Sequence, residues 1–218
     1  MSLHELIQHV KRIRCRPSSL HVTLVSNRAT LLGENGYSTI KIKKASPSNP
    51  VDRDMLHIAR ALSTSIITTA ANLRDEPKMT TSLGNWSQLC HSNPPTTIVL
   101  TRGGHIPLHH PLFYNAPGPV QILFTGNGPP PVLPSELINR GVIVNARPGL
   151  NASEIIKDLK EDGNRVTIEA GPSSTNLLYE ADAIDALLLS TFFGKIDCCY
   201  IGGETNLKPF IANRFTEI

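Results

Sequence analysis

The chain has 218 residues, 40% of them hydrophobic and 18% charged, with a formal net charge of +3. That length suits one domain with a sizeable core, and the charge is too mild to point to nucleic acid. No apolar run approaches the roughly 18 residues that cross a membrane, and the opening MSLHELIQHVKRIRCR lacks the apolar centre of a secretion signal.

Cys15, Cys90, Cys198 and Cys199 form no C-x-x-C pair and no regular framework. Reduced thiols in a cytoplasmic protein are therefore expected. Asn85-Trp86-Ser87 and Asn151-Ala152-Ser153 match the glycosylation pattern, which matters only in a secretory compartment.

Leu3, Leu6, Ile7, Val10 and Ile13 recur at helical spacing and predict an amphipathic helix over residues 3–14. Residues 1–19 are thus read as a helical extension, and 20–218 as one α/β domain. Residues 21–26 (HVTLVS) read as a first buried strand, followed by a polar turn at 33–36 and a Pro/Ser/Asn loop at 46–50. Asp52 suits the N-cap of a helix running to Leu62, with Met55, Ile58, Ala59 and Leu62 as its apolar stripe.

Residues 65–69 (SIITT) predict a second buried strand, which turns at Ala70-Ala71-Asn72 into the polar run Arg74-Asp75-Glu76-Pro77-Lys78. A short helix is placed around Trp86. Residues 96–101 (TTIVLT) and 120–125 (VQILFT) are the next strands, separated by a Pro-rich surface loop at 105–119. Residues 135–140 read as a short helix, 142–145 as a fifth strand, and Asn151 as the cap of a helix to Asp162.

Val166-Thr167-Ile168 is a β-branched run that fits a strand buried between layers. The chain turns at Glu169-Ala170-Gly171, and Pro172 suits a first helical position. Ser173 and Ser174 follow at the helix start. Residues 184–190 fit a strand or a helix end, and 195–201 a last strand. Strands alternating with helices throughout predict a three-layer α/β sandwich around a mostly parallel sheet.

In such sheets ligands bind beyond the carboxyl ends of the strands. The strand ends here, Ser26-Asn27-Arg28, Thr69-Ala70-Ala71-Asn72, Thr101-Arg102-Gly103, Thr125-Gly126 and Glu169-Ala170-Gly171-Pro172, are rich in small and hydroxylated residues. A helix N-terminus after Gly171 offers free N–H groups to a phosphate, and a guanidinium at Arg102 binds oxyanions bidentately. A plain strand-to-helix connection and a solvated loop arginine explain the same residues. Walker-type and Gly-x-Gly-x-x-Gly loops are missing, as is a Gly-x-Ser-x-Gly elbow. His105, His109 and His110 lie in a Pro-rich stretch without acidic or Cys co-ligands, so no metal is expected.

The pattern resembles the reductase domain of the bifunctional riboflavin-biosynthesis deaminase/reductase, whose fold is dihydrofolate-reductase-like. Glu169-Ala170-Gly171-Pro172-Ser173 is similar to that family's Glu-Gly-Gly-Pro-Ser turn, and Ala183-Ile184-Asp185-Ala186-Leu187 to the segment after it. Asp75-Glu76-Pro77-Lys78-Met79-Thr80 resembles its Asp-x-Pro-x-Leu-Thr loop, and Thr69 to Asn72 stands where its Gly-x-Gly-Thr turn falls. The resemblance implies an NADPH-dependent reductase, acting on a phosphoribosylaminopyrimidine or a related pyrimidine or pterin-like substrate, and a homodimer. It places the cofactor over Thr69, Ala70, Ala71, Asn72, Thr101, Arg102, Thr125, Glu169, Ala170, Gly171, Pro172, Ser173 and Ser174, with Arg102 at the 2′-phosphate. Arg28, Asp75, Lys78 and Thr80 would face the substrate, and no catalytic residue is assigned.

The chain departs from the family in three places. The first strand ends without an acid at Asn27-Arg28, Thr69-Ala70-Ala71-Asn72 carries a side chain at both glycine positions of the Gly-x-Gly-Thr turn, and Ala170 replaces a glycine. The alternative is a non-catalytic dimeric relative that keeps the fold and has lost the reaction.

Overall fold

The structure, a computed structural model, describes residues 49–192 throughout, the strand backbones Ser19–Asn27, Tyr37–Ile40 and Ile201–Thr205, and positions 4, 5, 7, 8, 11 and 46. Arg28, the 33–36 turn and residues 195–200 lie outside the described residues.

Short β-branched runs form the centre. β3 (Ser65–Thr69), β4 (Thr96–Thr101), β5 (Val120–Phe124), β6 (Ile143–Ala146) and β7 (Val166–Glu169) are all parallel, in the order β6-β5-β4-β3-β7. β3 and β7 are buried along their whole length, as parallel strands covered on both faces must be. β1 (Ser19–Asn27) lies parallel to β7 over Ser19–His21 and to β8 (Ala186–Phe192) over Leu20–Ser26. Its last residues pair antiparallel with β2 (Tyr37–Ile40), which in turn pairs with β9 (Ile201–Thr205). A strand has two edges, so β7 and β2 share one edge of β1 at opposite ends.

Alternation along the strands sends neighbouring residues to opposite layers. Ile67, Ile98, Leu123 and Ile168 pack with Ile155 and Ile156 of α5 (Ala152–Glu161) and Leu178 of α6 (Pro172–Glu180). Val99, Val120 and Ile122 face the other way, onto Ala70 and Leu73 of α2 (Ala70–Asp75) and onto α3 (Leu112–Asn115) and α4 (Ser135–Asn139). α1 (Pro50–Ala61) adds Ile58, Ala59 and the following Leu62 against Ala186 and Leu188 of β8, with Ile7 packed on the same cluster. The expected three-layer α/β architecture is present. Positions 4, 5, 7, 8 and 11, all within the span expected for the N-terminal helix, are helical.

Local chemistry corrects several expectations. Asn49, not Asp52, caps α1: its Oδ1 accepts from the Val51 N–H at 2.9 Å, and Pro50 takes the first helical position. Asp52 instead accepts a hydrogen bond from the Ser190 hydroxyl. The Ala70-Ala71-Asn72 turn is the first turn of α2, capped by Thr69. A one-turn helix, α3, interrupts the loop expected over 105–119. Of the 184–190 segment, residues 186–190 are strand, within β8, and β2 has no counterpart among the expected elements. Asn151 caps α5 with a full capping box to Glu154.

Candidate functional site

The carboxyl ends of β3, β4, β5 and β7 form one rim. Two of its turns are tied together by one side chain. Asn72 donates its own N–H to Thr69 Oγ1 at 3.1 Å, and its Nδ2 donates to the Glu169 carbonyl at 2.9 Å. The Thr69–Asn72 and Glu169–Pro172 turns are therefore held to each other. Neither Ala70 nor Ala71 has a positive φ, so their β-carbons are unstrained; Ala70 is buried and Ala71 exposed.

Beside these turns, α6 begins at Gly171 with no side-chain cap. Ser174 and Thr175 donate back to the Gly171 carbonyl, leaving the Ser173 N–H without a partner among the described residues. Ser173 is exposed and Ser174 half-buried. A nine-residue helix with an open N-terminus at a strand rim suits an anion.

Further along the rim, Thr101 folds its hydroxyl onto Gly103, donating to the Gly103 carbonyl at 2.8 Å. Arg102 is exposed and makes no ion pair among the described residues. Thr125 is buried next to it, its N–H donating to the Thr101 carbonyl at 2.9 Å. A β-carbon at Gly126 would collide with the Arg102 carbonyl oxygen and the Phe124 ring, so the turn after β5 needs glycine to pass close to β4.

The structure thus brings Thr69 to Asn72, Thr101, Arg102, Thr125 and Glu169 to Ser174 onto one rim. The carboxylate of Glu169 is directed away from solvent. It forms a bidentate pair with Arg60, 2.6 Å at each contact, and Arg60 Nη1 donates to the Ser82 carbonyl at 2.9 Å. Both side chains are buried. Asp75, the last residue of α2, and Lys78 just after it are exposed and Thr80 half-buried, across the sheet from α6. Arg28 lies outside the described residues. An apolar gap of about 10 Å³ beneath the rim, reaching Thr69, Ala170 and Ser174, is too small for anything beyond a single water.

The family model described as the RibD C-terminal domain matches residues 33–205. The chain belongs to the RibD C-terminal domain family. Its fold is accordingly dihydrofolate-reductase-like, and solved structures agree. A pyrimidine reductase-like protein from Corynebacterium diphtheriae matches with a TM-score of 0.63 at 20% identity, covering 89% of this chain and 84% of its own. Acinetobacter baumannii RibD matches with a TM-score of 0.60 at 20% identity over 84% of this chain and 48% of its own. The deaminase/reductase from Thermotoga maritima gives 0.52 at 14% identity, covering 87% and 49%. The chain spans about half the length of the RibD chains it matches. No curated protein sequence matches it.

This RibD C-terminal domain also holds an acid that sequence reasoning passed over. Glu76 follows α2, its carbonyl hydrogen-bonded to His110 Nε2 at 3.0 Å, while its carboxyl makes no hydrogen bond among the described residues. Burial, reinforced by the neighbouring Glu169 and Asp75 carboxylates and partly opposed by Arg60, pushes the carboxyl from 4.5 up to about 7. Asp75-Glu76 presents two adjacent acids, and the sequence carries no sign of which one turns inward.

The unfolded chain ionises Glu76 near 4.5 and the folded one near 7, so between those values the folded state holds the extra proton. Stability therefore falls as pH rises across that window and the cost is complete above it. Glu76→Gln is expected to change little at pH 4 and to stabilise the fold by up to about 3 kcal/mol at pH 8. Urea unfolding at the two pH values reads this; an equal effect at both would show that the carboxyl is not held protonated.

No helix among the described residues is long and apolar enough to cross a membrane.

Proposed function

We propose that the chain is an NADPH-dependent reductase that delivers hydride to the ribosyl carbon of a phosphoribosylaminopyrimidine, opening the sugar to a ribityl chain. The observation that carries this reading is the single rim on which the open N-terminus of α6, the Asn72-tied turns and Arg102 stand together. Family membership and a pyrimidine reductase-like structural neighbour support it.

The residues present fit a phosphorylated dinucleotide. The Ser173 N–H and the α6 dipole favour its pyrophosphate. Arg102 offers a planar guanidinium to a 2′-phosphate. The nicotinamide supplies the hydride when bound, and the protein's part is position and exclusion of water. Asp75, Lys78 and Thr80 stand across the sheet from α6, with Lys78 free to meet the substrate phosphate.

Titration of the purified protein with NADPH and with NADH, followed by nicotinamide fluorescence, tests the reading. Preferential NADPH binding is expected. Arg102→Ala should weaken NADPH by about 1.5–3 kcal/mol and leave NADH unchanged. Equal losses for the two cofactors would remove Arg102 from the 2′-phosphate. A non-catalytic binding role is the alternative, and a protein that binds NADPH without turning over any phosphoribosylaminopyrimidine would favour it.

A further inference from the structure

The register across β4, β5 and β6 brings a second arginine to the same face of the rim. Thr101 pairs with Phe124, and Phe124 with Ala146. The ladder continues one step further, because the Thr125 N–H donates to the Thr101 carbonyl at 2.9 Å and the Arg147 N–H to the Phe124 carbonyl at 2.8 Å. Arg102, Thr125 and Arg147 therefore form the next row. Two residues earlier on β4 and β5, Leu100 and Leu123 face α5 and α6. By the period of two, Arg102, Thr125 and Arg147 point to that side too, the side on which α6 opens.

Adjacent strands lie 4.7–4.9 Å apart, so the Cα atoms of Arg102 and Arg147 stand about 10 Å apart across Thr125. An extended arginine reaches roughly 6–7 Å from its Cα, so both guanidiniums can close on one group between them. Both residues are exposed, and neither has an acidic partner among the described residues. Two exposed guanidiniums rooted in one row of the rim, with no counter-ion among the described residues, suit one multiply charged oxyanion.

We infer that Arg147 and Arg102 form a two-guanidinium clamp for a single phosphomonoester dianion, the 2′-phosphate of the bound dinucleotide. The inference rests on the NADPH reading and assigns Arg147 as a specificity-determining residue within it. The ribose phosphate of the substrate has the same chemistry, so the test separates the two sources.

Calorimetric binding of adenosine 2′,5′-bisphosphate, adenosine 5′-monophosphate and ribose 5-phosphate is measured for the unmodified chain, Arg102→Ala, Arg147→Ala and Arg147→Lys. Melting temperatures control for folding, since the exposed Arg147 side chain is not part of the core. The expected result is that either alanine variant binds the bisphosphate about tenfold more weakly while 5′-monophosphate is unchanged. Arg147→Lys keeps charge without the fork and should fall between. If Arg102→Ala loses the bisphosphate preference and Arg147→Ala keeps it whole, the clamp is overturned and the cofactor reading stands. If only ribose 5-phosphate binding falls in Arg147→Ala, the 2′-phosphate assignment is overturned in favour of substrate. An unmodified chain with no preference for the bisphosphate would overturn the cofactor reading and the clamp together.

Discussion

Glu169→Ala is expected to lower the unfolding free energy by about 3–5 kcal/mol, the cost of stranding a buried charge. The Arg60 side chain is 5% exposed and its two contacts to Glu169 are both 2.6 Å. Once the carboxylate is gone, the guanidinium keeps, among the described residues, only the Ser82 carbonyl. Arg60→Ala should cost a similar amount, and replacing both residues by apolar side chains of like volume should recover most of the loss. Guanidinium unfolding of the three variants reads these effects; a loss below about 1 kcal/mol in either single variant would mean that water reaches the pair. The same substitution touches the rim. Glu169 also supplies the carbonyl that holds Asn72, so movement of the β7 end should weaken nucleotide binding as well as the fold.

Ile168→Ala, one residue earlier, is expected to cost about 2–5 kcal/mol through lost transfer energy and a residual cavity. Ile168 is fully buried on the opposite face of β7, against α5 and α6. Because that layer already contains a small apolar gap beneath the rim, the truncated side chain should enlarge it rather than let the helices close. Ile143→Ala makes the contrast: Ile143 is 57% exposed on β6, and a surface change of this kind should stay within about 0.5 kcal/mol. Equal losses at the two positions in thermal or urea unfolding would contradict the layer assignment.

Much of the architecture was legible because its carriers are local. β3, β4, β5 and β7 are short β-branched runs, and Asn151 and Pro172 are helix-start residues whose chemistry acts within a few positions. The α1 cap was misplaced because Asn49 and Asp52 both make good caps; Pro50, which takes the first helical position, decides between them. β2 escaped notice because Tyr37–Ile40 has no apolar run of its own and exists through its partners β1 and β9. Helix α2 reads as a turn in the sequence because Thr69 to Asn72 stand where the family has Gly-x-Gly-Thr, although Ala70 and Ala71 are strong helix formers.

The rim was legible as a set of strand ends, though the direction of each side chain was not. Glu169 looked like part of a ligand turn, but its carboxylate is satisfied by Arg60, an arginine within the otherwise apolar stretch of Ile58, Ala59 and Ala61. Glu76 owes its raised carboxyl first to burial and then to Glu169, far away in sequence, with Arg60 opposing the shift. Such pairings are set by tertiary packing, and no spacing rule reveals them.

The pairing of β1 with β7 has a consequence for biosynthesis. Ser19–His21 must wait for Val166–Ile168 before that edge is covered, and the second edge of β3 waits for the same segment. During synthesis at about 5–20 residues per second, both strands leave the ribosome with hydrogen-bonding groups open for several seconds. The β3–β4–β5–β6 half can zip up in order as it emerges, while the β1 half stays a nascent edge until β7 arrives and welds the two together. β1 therefore keeps open edges until both β7 and the later β8 have emerged, and in that interval the nascent chain presents unpaired strand edges.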